Sequence, residues 1–144
     1  MKIKPEDYAD TFKSLRDTKE KYKKLHHYLH ETATKINADS SNYSALVTEN
    51  LTEYLVQPPF NHSTGKVIGH QLTLAVFDLQ TDSDGHQCHP VLFDMIVRRI
   101  PPKKDNKYYH LELAARMLNQ GQELGKADFQ LYNKLFNDIN NLIK

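Results

Sequence analysis

Cysteine is almost absent from this sequence: Cys88 is the only one among 144 residues. A lone thiol excludes an intramolecular disulfide framework and fits a reducing compartment. Long apolar runs are missing too. No stretch approaches the roughly 20 apolar residues of a membrane span, and the opening Met-Lys-Ile-Lys-Pro-Glu-Asp lacks the apolar core of a secretory signal. The expected location is therefore the cytoplasm. Neither sign of charge is in excess, since 19 Lys and Arg against 18 Asp and Glu leave a formal net charge of +1. Bulk electrostatics thus call for neither nucleic acid nor a membrane surface. There is no nucleophile elbow, dinucleotide fingerprint, internal repeat or low-complexity tract. Ser63-Thr64-Gly65-Lys66 holds a Gly-Lys pair without the spacing of a phosphate loop. What is present is ordinary globular composition: 39% apolar and 26% charged residues exclude a disordered chain. The length suits one domain, residues 1–144, able to bury roughly two-thirds of its surface without staples.

The patterning predicts a single α+β domain. Residues 5–36 read as one long helix, opened by Pro5 with Glu6 and Asp7 complementing its N-terminus. Tyr8, Leu15, Tyr22, Leu29 and Ile36 recur every seven residues, with Phe12, Leu25 and Ala33 beside them. Such a seam follows a partner helix closely. At 1.5 Å per residue the helix is about 48 Å long, against a domain diameter of about 40 Å, so it either overhangs its own domain or lies along a second chain. Residues 42–56 are expected to form a second helix, because Tyr43, Leu46, Val47, Leu51, Tyr54 and Leu55 fit helical spacing and Pro58-Pro59 ends the run. The period then changes. Ile68, His70, Leu72, Leu74 and Val76 alternate as a strand, and so do Val91, Phe93, Met95 and Val97, with Asp94 and Arg98 on the other face. Together, 66–100 is expected to be a β-hairpin turning at Asp84-Gly85. Residues 108–143 are expected to be C-terminal helices. For the first of these, 108–119, the alternation of Tyr109, Leu111 and Leu113 also fits a strand, but Glu-Leu-Ala-Ala-Arg-Met-Leu favours helix. The second begins near Lys126, after Gly125.

Three groups of residues carry potential chemistry, each with a plainer reading. His86, Cys88 and His89 are competent zinc ligands beside Asp82 and Asp84. Their spacing matches no zinc finger, no calcium loop is completed, and a solvated turn accounts for them more simply. His70 sits on the apolar face of its strand, where it is either a catalytic base, with Asp94 or Glu112 as partner, or a core histidine. Lys13, Arg16, Lys19, Lys21, Lys23 and Lys24 with the helix histidines, and Arg98, Arg99, Lys103, Lys104 and Lys107, could track a phosphate backbone, with Tyr28, Tyr108 and Tyr109 as stacking platforms. Near-neutral charge favours a solvated helix face instead.

The tyrosines on the helix seam point in another direction, because Tyr pairs apolar area with a polar tip and is favoured at interfaces. Tyr8, Phe12, Leu15, Tyr22 and Leu29 are the expected interface. The functional expectation is a non-enzymatic interaction factor (an adaptor, chaperone-like protein or inhibitor) that binds a protein partner or itself through the long helix or a sheet edge. No cofactor is implied. A small enzyme or metal-dependent binder at His70 and the Asp82–His89 loop is the alternative, and a nucleic-acid module the second alternative.

Overall fold

The computed structural model of the chain describes residues 5–39, 42–55, 66–81, 87–88, 91–102, 108–117 and 125–144; for 5–12, 53–55, 66–67, 80–81 and 87–88 it describes the backbone. The architecture is α+β. Among the described residues helix α1 (Pro5–Asp39) is followed by six strands, β1 (Tyr43–Leu55), β2 (Lys66–Asp78), β3 (Gln80–Thr81), β4 (Gln87–Cys88), β5 (Val91–Ile100) and β6 (His110–Met117), and by helix α2 (Lys126–Ile143). Four strands form one antiparallel sheet in the order β1-β2-β5-β6, and β3 and β4 make a small ribbon on the β2–β5 connection.

The long helix, the β2–β5 hairpin and the C-terminal helix stand where the sequence patterns put them. The expected helix at 42–56 is instead β1, and the expected helix at 108–119 is β6. In β1, alternation decides: Tyr43, Ala45 and Val47 face the helices, packed on or within the core. The residues that imitated a helical stripe include Leu46 and Leu51, which are 56% and 62% exposed and so belong to no buried face. In β6 the helix-forming composition yields to pairing with β5, which sets Leu111, Leu113 and Ala115 opposite Arg99, Val97 and Met95. Local propensity is a weak prior against such tertiary pairing.

Both helices pack on one face of the sheet. Leu72, Leu74 and Val76 of β2 and Phe93, Met95 and Val97 of β5 are fully buried beneath Leu25, Leu29, Ala33 and Ile36 of α1 and Leu135 and Ile139 of α2. Burying each of the larger side chains stabilises the fold by about 1.5–3 kcal/mol before entropy is counted. The two helices run antiparallel: the Tyr28 hydroxyl donates to Asp138 at 2.8 Å, and Lys21 Nζ donates to the Ile143 carbonyl at 3.0 Å. That ammonium satisfies a carbonyl that the end of α2 leaves without a helical partner. At the other end of α2, the Gly125 N–H donates to Asp128 Oδ2 at 3.0 Å, and the Tyr43 hydroxyl donates to Asp128 Oδ1 at 2.6 Å. One carboxylate thus ties the start of the helix to the start of β1.

Candidate functional site

Among the described residues β1 is an edge strand along its whole length, paired only with β2. Edge strands offer unpaired N–H and C=O groups to any neighbouring chain, and proteins commonly blunt them by shortness, lysine, proline or a bulge. This strand is 13 residues long and contains neither Lys nor Pro; its only charges are Glu49 and Glu53. Its register against β2 is continuous.

Two observations fix which backbone groups point outward. The Leu79 N–H donates to the Asn42 carbonyl at 3.0 Å, so 42 and 79 are a hydrogen-bonded pair. An antiparallel ladder alternates bonded and non-bonded pairs. The N–H and C=O groups of the even residues 44 to 52 therefore point into the ladder with β2, and those of the odd residues point away from it. Ala45 agrees: its N–H donates to Asn37 Oδ1 at 2.8 Å, while Asn37 Nδ2 donates to its carbonyl at 3.0 Å. The Asn37 amide stands in for the peptide group of a neighbouring strand. Past that clamp, no partner among the described residues takes the outward groups of Val47, Glu49 and Leu51.

The geometry of α1 leaves room beside this stretch. The helix touches the β1 edge at Asn37 but crosses to β5 towards its N-terminus. There Arg99 Nε donates to Thr18 Oγ1 at 3.2 Å and Arg99 Nη2 donates to the Leu15 carbonyl at 3.3 Å. A wedge opens between the diverging helix and strand, with a cleft of about 350 Å³ lined by Tyr22, Lys23, His26, Glu49 and His70. At its wider end Leu51 and Ile68 are exposed, 62% and 50% respectively. The Tyr22 hydroxyl donates to Glu49 Oε2 at 2.5 Å. Burial, then the bond to this carboxylate, holds the Tyr22 phenol protonated far above the ordinary tyrosine range. The same two causes raise Tyr28 beside Asp138 and push Tyr43, beside Asp128, up to about 12.

Leu29 is fully buried in the chain's own core, and Leu15 and Tyr22 are half-buried. The side chains of Tyr8 and Phe12 lie outside the described residues, as do His86, His89 and the side chain of Cys88; among the described residues no group of three or more His, Cys, Asp or Glu is placed to hold a metal. His70 faces the helices as expected, with its ring 5.5 Å from that of Tyr22, but its Nδ1 is buried without a hydrogen-bond partner. The partners considered for it do not meet it. Asp94 lies on the opposite sheet face, where it takes both Arg116 Nε at 3.0 Å and Nη2 at 2.6 Å, and Glu112 meets His110 at 3.1 Å. Nothing described orients His70 as a base. Of the second basic group, Lys103, Lys104 and Lys107 lie outside the described residues. Arg98 bonds Gln71 on the far face, while Arg99 is held under α1 with its guanidinium 4.8 Å from the Tyr109 ring, where burial lowers its pKa. No helix among the described residues is long and apolar enough to cross a membrane. No protein-family model, curated protein or solved structure matches the chain.

Proposed function

We propose that the protein is a non-enzymatic interaction factor that binds another chain by strand addition along the free part of β1. The carrying observation is the row of outward backbone groups at Val47, Glu49 and Leu51 on a long edge strand. Strand addition draws affinity from main-chain hydrogen bonds and specificity from the alternate side chains. Leu46 on one face of the edge and Leu51 and Ile68 on the other supply exposed apolar contacts for those side chains. The half-buried seam of α1 contributes the wall of the cleft, at Tyr22 and its neighbours.

A photo-crosslinking residue at Thr48 or Asn50, both exposed on β1, tests this in the cells that make the protein; exposed Asn133 on α2 is the control. The expected result is a crosslinked product from the β1 positions alone. Equal crosslinking from Asn133, or none from β1, overturns the reading.

A further inference from the structure

The flank of α1 that overlooks the free edge carries charge of one sign. Asn37 marks that flank, because its side chain reaches the outward groups of Ala45. With 3.6 residues per turn, Lys19, His26 and His30 fall on the same stripe as Asn37, with Lys23 at its border. All four are exposed, and Lys23 and His26 line the cleft itself. The acids of this stretch, Asp17, Glu20 and Glu31, fall on the other side of the helix. There Glu31 binds Lys35 at 3.3 Å, and Glu20 and Glu31 line the groove beside Leu142 of α2. That side also carries Lys24 and Lys35, and Lys23 at the border lines its groove too, so what sets the flank along the edge apart is that it holds basic residues and no described acid. The acid of β1 that enters the cleft, Glu49, accepts the Tyr22 hydroxyl.

Resting on the strand-addition reading, we infer that the occupant of the β1 edge is an acidic extended segment of another protein. Its backbone pairs with Val47, Glu49 and Leu51. Every second side chain rises into the wedge, and carboxylates there meet Lys23 and His26, with Lys19 and His30 to either side. A second copy of the chain is disfavoured at this edge. An antiparallel pairing of two β1 edges extends the sheet with both α1 helices on the same side, bringing one cationic flank towards the other.

The test is selection of a random dodecapeptide display library on the full chain, followed by titration of the selected peptides. The expected peptides are net acidic with Asp or Glu at alternate positions. They protect the amides of Val47, Glu49 and Leu51 from hydrogen exchange, weaken with added salt, and lose about tenfold or more in affinity on the K19E/K23E variant. Both lysines are exposed, and circular dichroism confirms that the variant is folded. Selected peptides that are neutral or basic but protect the same three amides overturn the acidic occupant and leave strand addition standing. A dimer that protects those amides without peptide does the same. A selection that enriches nothing, or peptides that protect other amides, overturns both.

Discussion

Proline separates the two sets of backbone groups on β1, because it removes one N–H and leaves the carbonyl. At Asn50 the N–H points into the ladder opposite Gln71. Asn50→Pro loses that bond, worth about 1 kcal/mol net, and strands the carbonyl that accepted it, at about 1–3 kcal/mol. The expected loss is about 2–4 kcal/mol. At Leu51 the N–H points outward and proline deletes no ladder bond. Asn50, which precedes it, already has the extended backbone that a following proline requires. The Leu51 side chain is 62% exposed, so its truncation removes less than half of the roughly 2 kcal/mol of a buried leucine, and the stiffer unfolded chain returns about 0.4–1 kcal/mol. Leu51→Pro should therefore stay within about 1 kcal/mol of the parent. With urea slopes of about 1–3 kcal/mol per molar, the first variant moves the midpoint by about 1–2 M and the second barely moves it. Far-ultraviolet circular dichroism is the probe, since the chain has no tryptophan. Equal destabilisation by the two prolines refutes the assignment of inward and outward groups, and with it the free edge. If the assignment holds, Leu51→Pro is also the folded variant that should lose partner binding.

Three further outcomes follow from the same geometry. Asn37→Ala uncovers both backbone groups of nearly buried Ala45 and should cost about 1–3 kcal/mol by denaturant melt; an unchanged midpoint counts against the clamp. His70→Phe removes the orphaned Nδ1 while keeping a ring beside Tyr22, and should hold or raise stability by about 1 kcal/mol, whereas a large loss shows that the imidazole has a partner. Tyr22, Tyr28 and Tyr43 have folded pKa values above the unfolded value near 10, so their contribution is intact below pH 10 and falls as the unfolded chain ionises first above it. Stability should decline from about pH 10 upward, and the Y22F/Y28F/Y43F variant should show a flatter decline; parallel curves for the two proteins sink this account.

Elements whose signal is local were legible in the residues. The seven-residue seam and Pro5 announced α1, the alternation from Ile68 to Val76 and from Val91 to Val97 announced the central hairpin, and Gly125 with the stripe from Phe129 to Ile143 announced α2. The misread elements are the two edges of the sheet. An edge strand exposes apolar residues on both faces, as Leu46 and Leu51 do, which blurs period two into something like 3.6. The Tyr, Val and Thr content of 43–54 was the better guide. Ala114-Ala115 in β6 is good helix material that only pairing with β5 overrules. Much of the candidate site was out of reach for the same reason. His70 was correctly placed facing inward, but its neighbours come from α1 and β1. The role of Asn37, which stands just past the helix expected over 5–36, depends on a strand that the periodicity did not reveal.

The Asn37 clamp has a consequence for the solubility of a protein whose β1 edge is open among the described residues. Unprotected edges nucleate sheets that grow by stacking chain upon chain, and the hazard rises with the length of uninterrupted ladder on offer. By occupying the outward groups of Ala45, the amide shortens the usable template from the upstream side, so an incoming strand finds its first free partner at Val47. The helix end sets how far any added ladder can run, and a segment added there would meet one upstream stop against which to find its register.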